Sequence, residues 1–149
     1  MDYFQLLQIS PAFTLDPKTL EAAYFREQRL HHPDRFAGKP PEERQRALLR
    51  SVEINAAYDT LKNPLSRAQY LLHLQGIAVG TEAGSVKPSQ AILVEAMELR
   101  ETPPEKNTLE KMIADSIHTI AGYYASGAFD HMAQETLRLG YLIKVQGPL

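Results

Sequence analysis

The 149-residue chain contains no cysteine and no tryptophan. Without thiols it can form neither a disulfide nor a thiolate zinc site, and it has no cysteine nucleophile. Such a chain fits a reducing compartment. Long apolar runs are also missing, and every apolar stretch falls well short of the ~20 residues that cross a bilayer as a helix. No block of one charge sign dominates: 16 basic residues stand against 18 acidic ones, for a net charge of -2. The basic footprint of a nucleic-acid binder is therefore absent. The opening "MDYFQLLQIS" carries an acid at position 2 and no basic run, unlike a secretory leader. Together these absences predict a cytoplasmic protein whose partners include no nucleic acid and no membrane. Sustained alternation of apolar and polar residues is lacking as well, so no sheet is expected.

What the chain does have is helical spacing punctuated by proline and glycine. Residues 3–7 make one or two turns. Asp16 as N-cap and Pro17 at the first helical position open a longer helix, in which Leu20, Ala23, Tyr24 and Leu30 or His31 recur at helical intervals. Pro33 must end it, because its ring clashes with the preceding turn and it has no N–H to donate. His32, just before it, is pushed out of the α region. After the loop "FAGKPPEE", Pro41, Glu42 and Glu43 start a second long helix, with the acids at the positive end of its dipole. Leu48, Val52, Asn55, Ala56 and Leu61 are expected to form its apolar face, and Asn63-Pro64 ends it. "LSRAQYLLHLQ" follows, with Gly76 as its C-cap. "IAVGTEAGSVKP" is rich in glycine and small residues and reads as a boundary. Three further helical segments come after it: "SQAILVEAMELRE" with Ser89 as N-cap, "PEKNTLEKMIADSIHTIAGYYAS" and "AFDHMAQETLRLGYLIKVQ". The expected architecture is all-α. A helical hairpin with short flanking helices fills residues 1–75, a linker spans 76–88, and a three-helix bundle fills 89–149.

The stretch "RLHHPDRF", residues 29–36, is unusual for a turn. A plain turn would use glycine or asparagine, whereas this one sets a histidine before a proline and an aspartate after it. Chemistry alone leaves several readings. A metal site is poorly served, since adjacent histidines diverge and His73, His118 and His131 lie on other segments. A His–Asp acid/base pair needs a nucleophile and a pocket, and no serine sits in a nucleophile elbow. A polar, exposed turn with incidental side chains is the plainest account. No catalytic residue, metal ligand or cofactor is expected.

A helix ending in His-Pro-Asp, a short loop and a second antiparallel helix resemble the J-domain of Hsp70 co-chaperones. "INAAYDTLKNPLSRAQYLL" and "DYFQLLQI" extend the likeness over residues 1 to about 75. "MDYFQLL", "HPDRF", "NPLSRAQYLL" and "ILVEAMELRE" are similar to the HscB-type J-proteins of iron–sulfur cluster assembly, and that likeness covers nearly the whole chain. The resemblance implies that His32, Pro33 and Asp34 dock on the ATPase domain of an HscA-type Hsp70 and accelerate its ATP hydrolysis. It implies a basic flank, for which Arg26, Arg29 and Arg35 are the candidates. The physics agrees: Pro33 stiffens the loop, which lowers the entropy lost on binding, and Asp34 can accept an arginine fork. Glu27 departs from the pattern, which usually has an apolar residue there, and Leu30 or Phe25 is expected to compensate in the core.

Residues 89–101 can be read by geometry. At ~100° per residue, Ile92, Ala96 and Leu99 share one face, while Leu93, Val94, Met97, Glu98 and Glu101 spread over the other side. Either this helix is buried on both sides, or its second side is a partner surface rimmed by charge. A unit of about 60 residues has little interior, which favours the partner surface. The resemblance implies that an IscU-type iron–sulfur scaffold binds there, through Leu93, Val94, Met97, Glu98, Arg100 and Glu101. Tyr141 is the candidate aromatic on the last helix. The expected function is a co-chaperone, not an enzyme, that brings the scaffold to its Hsp70. A J-protein with a different client is the alternative, although a cysteine zinc motif and a glycine–phenylalanine linker are both missing.

Overall fold

A computed structural model of the chain describes residues 1–80 and 84–147, and every regular element among them is helical. The order is α1 (Tyr3–Leu7), α2 (Pro17–His31), a 3-10 turn (Pro33–Phe36), α3 (Pro41–Leu61), α4 (Pro64–Leu74), α5 (Gln90–Glu101), α6 (Lys106–Ser126) and α7 (Phe129–Gln146). No helix among the described residues is long and apolar enough to cross a membrane. The all-α expectation, with a J-type hairpin first and three helices last, is met. Packing divides the chain into Met1–Asn63 and Pro64–Leu149. Because α4 packs on α7, it groups with the later helices, and the segment 76–88 lies within the second unit. Residues 81–83 of that segment, and the last two of the chain, lie outside the described residues.

In the first unit, α1 is begun by a reciprocal cap. The Asp2 carboxylate accepts from the Gln5 N–H, and the Gln5 side chain accepts from the Asp2 N–H, both at 2.8 Å. Phe4, Leu6 and Leu7 are buried. α2 starts as expected, with Asp16 accepting from the Thr19 N–H at 3.2 Å and Pro17 in the first turn. Its buried line is Leu20, Ala23 and Glu27.

Two expectations need correcting. The buried face of α3 is Ala47, Ile54, Ala57 and Leu61, whereas Leu48 and Val52, together with Leu49, are more than half exposed. α3 carries two apolar stripes. The stripe of Ala47, Ile54, Ala57 and Leu61 is the one buried, and α3 packs against both α1 and α2. Asn55 belongs to a polar ladder. Tyr24 Oη donates to Asn55 Oδ1 at 2.7 Å, and Gln28 Nε2 donates to the same oxygen at 2.8 Å and to the Ser51 carbonyl at 3.2 Å. Ser51 Oγ donates back to Gln28 Oε1 at 2.9 Å, and Tyr24 stacks on Tyr58 at 4.4 Å.

The second correction concerns Glu27. Neither Phe25 nor Leu30 replaces it in the core, since both stay about half exposed. Glu27 itself occupies the core position, at 2% exposure. A buried carboxylate must be paired. It lies 3.2 Å from Arg26 Nε and 3.8 Å from His31 Nε2, and Arg26 Nη2 donates to the Leu7 carbonyl at 2.6 Å. This chain of contacts ties the end of α1 to α2.

In the second unit, α4 ends at Gly76, whose φ of +80° suits glycine, and the Ile77 N–H returns to the Leu72 carbonyl at 2.9 Å. α6 and α7 form a hairpin through Gly127 (φ +73°). Its core holds Leu109, Ile120, Met132, Ala133, Leu139 and Leu142. α5 opens on Ser89, whose Oγ accepts from the Ile92 N–H at 3.3 Å. Among its residues only Leu99 is buried, against Leu109, Leu142, Met112, Ile113 and Val145.

Candidate partner-binding sites

The turn after α2 is held by its own short-range bonds. His32 is extended (φ −63°, ψ 136°), as a residue before proline must be. Its Nδ1 accepts from the Asp34 N–H at 3.1 Å, and its carbonyl accepts from the Arg35 N–H at 3.0 Å. Arg35 Nη1 donates to the Arg29 carbonyl at 3.2 Å, which satisfies an open acceptor at the end of α2. These bonds fix the backbone but leave the Asp34 carboxylate 93% exposed, 3.6 Å from the His32 ring nitrogen. No lysine or arginine among the described residues pairs with it. Chemically the turn is a stiff mount for an acceptor with its lone pairs free.

All three arginines read as a flank are exposed, and Arg29 and Arg35 pair with no carboxylate among the described residues. Arg26 is spent within the chain, on the Leu7 carbonyl and Glu27. Sequence spacing cannot separate these roles, because all three arginines fall within three turns of the loop.

On α5 the two sides separate as their spacing suggests. Ile92 and Ala96 are half-buried and Leu99 is buried. Leu93, Val94 and Met97 stay open to solvent, with Met97 63% exposed. Glu98, Arg100 and Glu101 are exposed beside them. Tyr141 on α7 is half-buried, with the Lys144 ammonium 5.7 Å from its ring centre.

Sequence reasoning missed the group that holds α5 in place. Arg138 grips Glu95 with two bonds, Nε to Oε1 at 2.7 Å and Nη2 to Oε2 at 3.3 Å. A third runs from Nη1 to Glu135 Oε2 at 3.0 Å, and that same oxygen accepts from Ser116 Oγ at 2.7 Å. The hydrogen bond to Glu95, foremost, holds the Arg138 guanidinium above its ordinary range. An available signal was that Glu95 falls near Ile92, Ala96 and Leu99 on the packing side, where an acid demands a partner.

Residues 2–70 match the DnaJ domain family. The chain is 48% identical over 101 residues to the co-chaperone protein HscB of Proteus mirabilis, a match covering 68% of this chain and 58% of that protein. It is 34% identical over 137 residues to the co-chaperone protein HscB homolog of Shewanella loihica, covering 91% of this chain and 79% of that one. Among solved structures it superposes on chaperone HscB from Vibrio cholerae with a TM-score of 0.82 and 30% identity, covering 98% of this chain and 93% of the other. The human co-chaperone HscB gives the same TM-score at 26% identity, covering 98% and 79%.

Proposed function

The chain belongs to the HscB-type J-domain co-chaperones, the branch serving iron–sulfur cluster assembly, and from that membership we propose that it couples an IscU-type scaffold to an HscA-type Hsp70 in the cytoplasm. The tip at His32, Pro33 and Asp34 docks on the Hsp70 and stimulates its ATP hydrolysis, with Arg29 and Arg35 steering the encounter. Arg26 contributes chiefly through the contacts that fix α2. The exposed side of α5, with Leu93, Val94, Met97, Glu98, Arg100 and Glu101, holds the scaffold, and Tyr141 adds an aromatic edge. The protein acts by binding and performs no chemistry of its own.

The observation that carries this reading is the Asp34 carboxylate, 93% exposed on a turn whose backbone is already fixed. Its ordering is largely complete before a partner arrives, so little entropy is lost on docking. An arginine fork on the partner would find both oxygens open to solvent and unpaired with any lysine or arginine among the described residues. The test is ATP turnover of an HscA-type Hsp70 with the parent chain and with Asp34→Asn. Loss of the charge-assisted pair should cut stimulation at least about tenfold, equivalent to ~1.4 kcal/mol. Full stimulation by the variant would remove the docking role.

A further inference from the structure

Beside the tip, on the outward side of α2, lies a depression of about 430 Å³ lined by Phe25, Gln28, Arg29, His32 and Arg35. Its lining is largely carbon. The half-exposed Phe25 ring leans on Tyr24 at 5.3 Å. Gln28 has its amide engaged by Ser51 and Asn55, so its stem is what remains for the depression. His32 Nδ1 is engaged by the Asp34 N–H. The rim is cationic and uncompensated, since neither Arg29 nor Arg35 pairs with a carboxylate among the described residues. An exposed aromatic in a concavity flanked by two guanidiniums, neither of them paired with a carboxylate among the described residues and one of them held by the Arg29 carbonyl, is complementary to one kind of occupant: an apolar side chain with a carboxylate next to it.

We propose that this depression is a specificity pocket, seating an apolar side chain that the Hsp70 partner presents beside an acidic residue, with Arg29 and Arg35 taking the acid. The proposal rests on the docking reading above, and it assigns the occupant to the same partner because His32 belongs to both the tip and the pocket wall. Phe25 supplies affinity, while Asp34 supplies stimulation.

The test measures ATP turnover of an HscA-type Hsp70 against concentration of the full chain, at low and high salt. Phe25→Gln keeps a residue that helices accept, and its helicity is checked by circular dichroism. It should raise the half-maximal concentration at least tenfold, leaving the maximal rate and the salt dependence unchanged. Phe25→Leu should stay within threefold of the parent. Arg29→Gln combined with Arg35→Gln should weaken binding and flatten its salt dependence. Leu30→Gln, about half exposed but outside the depression, should change nothing. Phe25→Gln within twofold of the parent, while Asp34→Asn abolishes stimulation, would overturn the pocket and leave docking standing. Asp34→Asn with full stimulation would overturn both. A fall in maximal rate for Phe25→Gln, an equal shift for Leu30→Gln, or a second copy of the chain released from the parent by Phe25→Gln in sedimentation would each overturn the assignment of the pocket.

Discussion

Replacing Arg138 by methionine isolates the polar clamp between α5 and α7, because methionine keeps most of the stem packing and removes the fork. Three bonds are lost. Two go to Glu95, whose side chain is 35% exposed, so solvent screens them and their joint worth is about 0.5–1 kcal/mol. The third goes to Glu135, only 16% exposed, which then keeps Ser116 Oγ as its remaining donor among these partners. A bond to a charged group is worth about 1.5–3 kcal/mol, and the low end, about 1.5 kcal/mol, applies to a guanidinium still a quarter exposed. The sum is about 2 kcal/mol, or roughly thirtyfold in the unfolding equilibrium. That is comparable to burying Leu99, the one buried side chain of α5, at about 1.5–3 kcal/mol. Urea denaturation of the full chain reads the loss, and a double-mutant cycle with Glu95→Gln should return a coupling of about 0.5–1 kcal/mol. The sign of its pH dependence follows from the raised guanidinium pKa. The folded-state value exceeds the unfolded one, so this stabilisation is complete below the ordinary arginine range and fades only in strongly alkaline solution. The Arg138 contribution should therefore be flat across neutral pH. A variant within 0.5 kcal/mol of the parent, with no coupling, would show that the fork is superficial and that apolar packing alone holds α5.

Other outcomes follow from the same geometry. Glu27→Leu should change stability by less than about 1 kcal/mol, since Arg26 and His31 are open enough to hydrate once the carboxylate is gone. Glu27→Ala should cost about 2 kcal/mol or more through the cavity it leaves, and equal losses for the two in urea would contradict this. Leu93→Ala, Val94→Ala and Met97→Ala combined should shift the urea midpoint little, because these side chains already face solvent. Calorimetric titration with an IscU-type scaffold should nevertheless show binding weakened at least tenfold, and undiminished binding would move the client site off α5.

Much of this fold was legible because its punctuation is chemical. Asp16, Pro17, Pro33, Gly76 and Ser89 start or stop helices by mechanisms that act within a few residues. What sequence could not settle was which of two apolar stripes on α3 turns inward. Leu48 and Val52 stay in solvent, whereas the stripe of Ala47, Ile54, Ala57 and Leu61 is the one buried, and that choice depends on how α3 packs against α1 and α2. The same holds at Glu27, where three residues close in space supply what a single apolar side chain would have. At the candidate sites, the exposure of Leu93, Val94 and Met97 followed from angular spacing. The Glu95–Arg138 link did not, because its members lie 43 residues apart in sequence, on two helices whose relative phase is set by packing.

The rungs joining Tyr24 and Gln28 to Ser51 and Asn55 bear on mechanics. Two greasy rods can slide past one another at small cost. Here donors meet acceptors at a single alignment, and a slip of one turn, about 5.4 Å, would break all of these pairings at once. The ladder therefore selects one alignment of the two long helices over its neighbours, as a set of bonds that form together at a single register.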